Sequence, residues 1–447
     1  MPAKRSLTLA LALLFVAAIP AQASAFPTMT IADDIQPGTG SSTPLWSAGR
    51  LGDYLYTLAD DGVTGYELWR TNGVTSTQVA NINTNSSDGS YPTGFTVLGD
   101  WLYFQADDGT HGYELWRTNG TTTALVQDIN TNGTDSSSPS GFTAFGGWLY
   151  FSATDATHGY ELWRTNGTST ELFINIDSDE SDGPSSYPNN FTEFGDWLYF
   201  QASDGIDGAE LWRTNGTITA MVANINVSTN TSSNPSGFTV LGDWLYFSAL
   251  DSTTGVELWR TNGTTTERVA NINAGSSDSN PGEFEALGNW LYFRADDGTT
   301  GTELWRTNGT TTTRVADINT TGTDSSAPYG LTALGGYVYF NATVDDTWKL
   351  WRVSAEGTVE PSSPTGTDVF FGCMCDRPIL TLNGRLFAQM YTAESGFEFI
   401  YFDEPTYGLP LTNRDGSVWS TALVLLAAVT AVAGVGLRMR GVRHVAS

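Results

Sequence analysis

The string Glu-Leu-Trp-Arg-Thr-Asn-Gly recurs through this chain with its tryptophan at Trp69, Trp116, Trp163, Trp212, Trp259 and Trp305, and it returns as Lys-Leu-Trp-Arg-Val-Ser-Ala-Glu-Gly around Trp351. The six intervals from Trp69 to Trp351 average 47 residues. A second marker keeps step: LGDYLY from Leu51, LGDWLYF from Leu98, FGGWLYF from Phe145, FGDWLYF from Phe194, LGDWLYF from Leu241, LGNWLYF from Leu287 and LGGYVYF from Leu334. An eighth, degraded copy runs from Leu382 to Phe402. A fixed period narrows the choice of fold sharply, because each repeat must be one supersecondary unit that buries its apolar face on its neighbours.

Inside a unit the pattern is that of strands: short alternating or aromatic runs broken by Gly-Asp, Asp-Gly and Asn-Gly pairs. The second unit has four such runs, GFTVLG, WLYFQAD, YELWRTN and TALVQDIN. Gly99-Asp100 joins the first pair and Asn119-Gly120 the last, and Asn-Gly favours a hairpin because both residues tolerate positive φ. Four antiparallel strands per ~40–50 residues build a propeller blade, and a β-solenoid uses shorter repeats. No helical period appears between residues 28 and 405.

The segment from Thr28, TMTIADDIQPGTGSSTP, matches the fourth strand and following loop of a unit but has no first three strands before it. The eighth unit has the complementary shape, with a poor fourth strand in GLPLTN. The expectation is an all-β propeller of four-stranded blades over residues 26–405, eight blades closed by the N-terminal strand, with seven plus an irregular tail as the alternative.

The two ends read as export and anchoring signals. Residues 1–25 combine Lys4 and Arg5, an apolar stretch from Leu7 to Ile19 and the small-residue site Ala23-Ser24-Ala25, the three parts of a signal peptide. A linker, 406–417, leads to the nearly charge-free run 418–437, long enough for a transmembrane helix, and the basic tail 438–447 carries Arg438, Arg440, Arg443 and His444. The positive-inside rule leaves that tail in the cytoplasm and the rest outside, as a single-pass cell-membrane protein. Alternatives are an uncleaved N-terminal anchor and a C-terminal sorting tail removed after export. Against 48 acidic residues stand only 20 basic ones, a net charge of −28, which repels phosphate backbones and argues against nucleic-acid binding. The only cysteines, Cys373 and Cys375, are either free thiols or a tight disulfide ring.

On these residues the chain resembles the ELWxxDGT repeat, also labelled hyalin-like, of bacterial and archaeal exported proteins, over Thr28 to Phe402. The resemblance implies a repetitive surface or secreted protein with no established catalytic activity. The chain departs from the pattern where Asn replaces the Asp of DGT, and Asn-Gly-Thr satisfies the N-glycosylation rule at Asn119, Asn166, Asn215, Asn262 and Asn308. Asn85, Asn132, Asn190, Asn226, Asn230, Asn319 and Asn341 bring the candidates to twelve. Turn chemistry alone is the competing explanation for Asn-Gly.

Residues present in every unit read as blade builders. Trp101, Trp116 and their copies are expected to fill the wedges between blades, and the repeated Glu and Arg to pair between strands. The loops after the fourth strand, Asp128-x-Asn130-x-Asn132-Gly133-x-Asp135 and Asp317-x-Asn319-x-x-Gly322-x-Asp324, resemble the opening of a calcium loop, although Pro139 stands where the bidentate Glu belongs. Ordinary Asx turns are the alternative reading. The loop from Asn175 to Pro188, with Asp177, Asp179, Glu180 and Asp182, is the most distinctive part of an acidic face and the expected place of binding.

Catalytic signals are sparse. The histidines are His111, His158 and His444, and no GxSxG, HExxH, CxxC or phosphate-binding glycine loop occurs. These observations lead to the expectation of a non-enzymatic, surface-anchored binding or adhesion protein for an extracellular protein or glycan. A structural surface coat is the second reading, and a polysaccharide-active hydrolase with paired carboxylates the third.

Overall fold

A computed structural model describes residues 35, 47–84, 89–177, 185–228, 231–320, 324–345 and 347–362, together with the backbone of 29–31, 380–382, 385–392 and 396–403. The chain divides into two compact units, 1–404 and 405–447, and the second lies outside the described residues. So do the expected signal peptide, the run 418–437 and Cys373 and Cys375. Among the described residues no helix is long and apolar enough to cross a membrane.

Every described element is a strand, and the strands form four-stranded antiparallel sheets in sequence order. We call the seven regular sheets between residues 48 and 361 blades one to seven. Blade two shows the pattern, with strands Thr93–Leu98, Trp101–Asp107, Tyr113–Thr118 and Thr123–Gln127. The strand Met29–Ile31 pairs with Gly396–Asp403 in a further sheet that also contains Arg385–Thr392 and Leu380–Leu382. First strands of consecutive blades lie side by side, the arrangement of a β-propeller.

The aromatic richness of the second and third strands follows from burial on both faces. Leu102, Tyr103, Phe104 and Ala106 are all buried, as are Glu114 and Leu115 opposite them, because blade two is packed between blades one and three. The apolar clusters therefore mix blades: Tyr103, Leu115 and Ile129 of blade two pack with Phe142, Leu149, Phe151 and Trp163 of blade three. Trp101 packs against this cluster and Trp116 against the one between blades one and two, so both tryptophans fill wedges between blades.

The repeated Glu and Arg do not pair with each other, contrary to expectation. Each serves as a cross-link at its own end of the third strand. The Glu114 carboxylate is fully buried and accepts hydrogen bonds from the amides of Ile129 (2.9 Å) and Ser137 (2.8 Å) and from the Ser137 hydroxyl (2.6 Å). It thereby ties down the connector that leads into blade three. That connector bonds in turn to blade three, where the Thr154 amide donates to Ser137 O at 3.1 Å. Glu67, Glu161, Glu210, Glu257 and Glu303 repeat the bond to a connector serine at 2.6–2.7 Å.

Arg117 stacks over Trp101 of its own blade at 4.3 Å and donates to the Gly167 carbonyl in the Asn-Gly turn of the next blade at 2.9 Å. That turn must be Asn-Gly for two reasons. The Asn side chain accepts from the amides two and three residues on, as Asn119 does from Thr121 and Thr122 at 2.9 and 2.8 Å. The glycine has φ near 84° at Gly120, and a Cβ there would come within 2.4 Å of the Tyr56 hydroxyl of the preceding blade.

Candidate functional site

Where every blade repeats the same side chain, the side chain holds blades together; a site for one ligand must come from positions that break the repeat. Such positions cluster on the first strands. In blades two, three, five and seven the second residue of that strand is glycine at positive φ, Gly94, Gly141, Gly237 and Gly330, with φ from 68° to 73°. Blades two, three and five place a phenylalanine of the following blade against it: a Cβ on Gly94 would lie 2.9 Å from the Phe142 ring, one on Gly141 3.0 Å from Phe191 and one on Gly237 2.7 Å from Phe284. In blades four and six the position is held by Asn190 and Glu283, both at φ 57°. A non-glycine residue in this region carries backbone strain of ~1 kcal/mol or more, as the repeated connector residues Tyr91, Ser138, Tyr187, Asn234, Asn280 and Ala327 also do at φ 45–48°.

Both residues line one cavity of about 360 Å³, whose wall is formed by the first strands of blades four to seven, Asn189–Phe194, Ser236–Leu241, Gly282–Leu287 and Tyr329–Leu334. Phe191, Phe238, Phe284 and Leu331 supply its apolar surface, Thr192 and Thr239 hydroxyls, Glu283 a carboxylate and Asn190 an amide. No Lys, Arg or His lines it.

Glu283 and its neighbour Glu285 both reach across to blade seven. Glu283 Oε2 accepts from the Gly330 amide at 2.9 Å and Glu285 Oε1 from the Ala333 amide at 3.0 Å. Burial pushes the Glu285 carboxyl above its ordinary range, with the Ala333 bond opposing the shift. Asn190 donates through Nδ2 to Asn189 Oδ1 at 2.7 Å and to the Pro235 carbonyl at 3.5 Å, which leaves its own carbonyl oxygen as an acceptor. In the sequence Asn190 stands only as a glycosylation candidate, and Glu283 and Glu285 carry no expectation. The available signal was the break in the first-strand pattern, where SGFTVL becomes NNFTEF and GEFEAL.

The residues expected to bind are placed elsewhere. Asp177 is buried, and its carboxylate stands where a Cβ on Gly205 of the next blade would be 2.8 Å away; Asp179, Glu180 and Asp182 lie outside the described residues. For calcium, Asn130 and Asn319 are buried, and Asn130 donates to the Ser136 carbonyl at 3.3 Å, whereas Asn132, Asp135 and Asp324 are exposed. Asp128 and Asp317 are half-buried, and Asp317 lies 3.6 Å from Arg314. Among the described residues no group of three or more His, Cys, Asp or Glu side chains could hold a metal ion. Of the glycosylation candidates, Asn119, Asn132, Asn166, Asn190, Asn215, Asn262 and Asn308 are exposed, and Asn226, Asn319 and Asn341 are buried. Asn85 and Asn230 lie outside the described residues.

His111 and His158 are held in the turns between second and third strands by Asp108 and Asp155, at 2.9 and 3.0 Å. Partial burial raises Asp108, but the bonds it accepts from Thr110 and His111 outweigh this and hold it at about 2. The same bond to Asp108 raises His111.

No family model matches the chain, and neither does any curated protein. Solved structures similar to it include a prolyl endopeptidase (11% identity, TM-score 0.46, covering 74% of this chain and 51% of that one). A puromycin hydrolase is similar at 12% identity and TM-score 0.43, over 82% of this chain and 60% of that one. The β-propeller domain of the Trilobed protease from Pyrococcus furiosus is similar at 9% identity and TM-score 0.41, over 72% of this chain and 98% of that domain. The chain thus spans about half to three fifths of the two whole peptidases.

The expectation of a non-enzymatic adhesion protein whose acidic face binds protein or glycan is not kept, since peptidases are among the solved structures similar to this chain. Solved structures similar to this chain include peptidases and a nidogen/laminin complex, and a sparse set of catalytic motifs in the sequence does not make the chain a non-enzyme. Catalytic groups are defined by their spatial arrangement, and the likeness covers only part of each whole peptidase.

Proposed function

We propose that this chain is a peptidase-type propeller, whose part in peptide hydrolysis is to admit and hold a substrate in the cavity of blades four to seven. The observation that carries this reading is that both non-glycine replacements at the strained first-strand position open onto one cavity lined by phenylalanines and hydrogen-bonding side chains. That mixture suits a peptide, which presents apolar side chains and polar backbone groups in alternation. In the same proposal the ring has eight blades closed by Met29–Ile31, and the repeats belong to the ELWxxDGT type. The ectodomain faces outward, anchored by the run 418–437, with glycans on exposed asparagines such as Asn119 and Asn166.

The test is direct. Purified full-length chain is titrated calorimetrically with a library of unblocked tripeptides, and the mixtures are analysed by mass spectrometry for cleavage. Saturable binding that weakens in Glu283→Gln supports the reading. Neither binding nor cleavage across the library overturns it. Intact mass before and after glycan removal checks the glycans, and an unshifted mass removes them from the proposal.

A further inference from the structure

The polar lining of the cavity is one-sided. Glu283 uses Oε2 for the Gly330 amide, and no hydrogen bond engages its second oxygen among the described residues. Asn190 donates with its Nδ2 and presents its carbonyl. Thr239 donates its hydroxyl proton to the Gly237 carbonyl at 3.3 Å, so its oxygen too is left as an acceptor. With no Lys, Arg or His in the lining, the Thr192 hydroxyl can donate, but the cavity offers no positive charge and one negative charge to whatever enters. A ligand carboxylate would meet no cation there; a ligand ammonium would meet a carboxylate oxygen in a partly desolvated setting, where a charge-assisted hydrogen bond is strongest.

The spacing of the acceptors narrows the ligand further. Glu283 belongs to blade six and Asn190 to blade four, and the first strand of blade five lies between them. A simple amine that neutralises Glu283 therefore leaves Asn190 unused. An extended ligand with an ammonium at one end and further N–H donors along its length uses both, and Phe191, Phe238 and Phe284 lie along its path.

Resting on the peptide reading above, we infer that the cavity recognises the free amino terminus of a peptide, with Glu283 receiving the ammonium group and Asn190 a downstream backbone N–H. Glu283 holds a left-handed position that four other blades fill with glycine; its carboxylate reaches the Gly330 amide and borders the cavity, and glycine there would relax the backbone but remove the charge.

The experiment compares Phe-Ala-Ala amide with N-acetyl-Phe-Ala-Ala amide on the full-length chain by calorimetry, in wild type, Glu283→Gln, Glu283→Gly and the control Glu193→Gln. Glu193 is exposed on the first strand of blade four and does not line the cavity. The expected result is at least ~10-fold weaker binding of the acetylated peptide, the worth of one charge-assisted hydrogen bond. That difference should vanish in both Glu283 variants and persist in Glu193→Gln. Thermal melts check that each variant is folded; if Glu283→Gly unfolds, Glu283→Gln decides alone. Equal binding of the two peptides by wild type overturns the amino-terminal inference and leaves the peptide reading standing, whereas failure of both to bind overturns both.

Discussion

Glu210 on the third strand of blade four and Glu283 on the first strand of blade six are the same residue in two opposite situations. Glu210 is fully buried and saturated: it accepts from the amides of Ile225 and Ser233 at 2.8 and 2.9 Å and from the Ser233 hydroxyl at 2.6 Å. Glu67, Glu114, Glu161 and Glu303 repeat its arrangement, and Glu257 keeps the serine bond through Oε2 while its buried Oε1 has no partner. Glu283 occurs once, accepts one amide bond and borders a cavity. A carboxylate whose acceptor sites are filled by its own chain has no capacity for a ligand, however buried. One that keeps an oxygen open beside a cavity does; Glu257 also has an unpartnered oxygen, but it is fully buried and does not line the cavity, so an open oxygen and access to it together separate scaffold from site.

The comparison breaks most visibly under truncation. Glu210→Ala strands several buried amide donors and should cost roughly 3–5 kcal/mol in urea denaturation. A loss below about 1 kcal/mol would put Glu210 and Glu283 in the same class.

Next in size is the partner cross-link. Arg213 stacks over Trp197 at 4.1 Å and donates to the Gly263 carbonyl at 3.0 Å. Arg213→Ala should cost about 1–3 kcal/mol, and Arg213→Lys should recover only part of it, since lysine lacks the planar group that stacks and donates together. Full recovery by lysine would reduce the clamp to a plain charge.

A pH titration sharpens the comparison with a smaller effect. Burial raises Glu67, Glu114, Glu161, Glu210, Glu257 and Glu303 above the ordinary 4.5, even though their hydrogen bonds oppose it. The folded state then holds protons that the unfolded chain has lost, so stability falls as pH rises from 4.5 toward the raised values. In Asp61, Asp108, Asp155, Asp251 and Asp297 burial is outweighed by turn hydrogen bonds that lower the carboxyl below 3.8, so their contribution is present above 3.8 and is lost as pH falls through the lowered values, about 2 for Asp108. The urea midpoint should accordingly rise as pH falls from neutrality toward 4.5 and fall again as pH drops below 3.8 toward about 2. A midpoint that declines steadily from neutrality would show that the glutamates are not the dominant titrating groups.

The smallest effect is expected at Glu283. Glu283→Gly removes one bond to Gly330 and relieves one strained backbone position, and the two changes offset to within about 1 kcal/mol. A large loss of stability would make Glu283 another scaffold carboxylate.

Much of this architecture was legible before any coordinates. The period, the alternating aromatic runs and the Asn-Gly pairs specify strands and turns because those preferences are local: Asn119 bonds amides two and three residues away, and Gly120 needs its φ wherever the turn occurs. The tryptophan wedges follow from the same repeat, since an apolar face repeated at every unit must meet its neighbour. The roles of Glu114 and Arg117 were not legible. Their partners lie 15–23 residues downstream in the connector and 50 residues away in the next blade, so only packed blades show that these two charges ignore each other.

The candidate site divides in the same way. Asn190 and Glu283 stand out in the sequence as two breaks in a six-residue pattern, 93 positions apart, with no sign that they share a wall. Their common cavity exists because first strands of successive blades are brought side by side, an adjacency that depends on how sheets pack rather than on any local preference. Chain chemistry alone therefore determined the blades and their turns. Tertiary packing decided which acidic residues are spent on holding the blades together and that Glu283 borders a cavity, because both depend on neighbours remote in the chain.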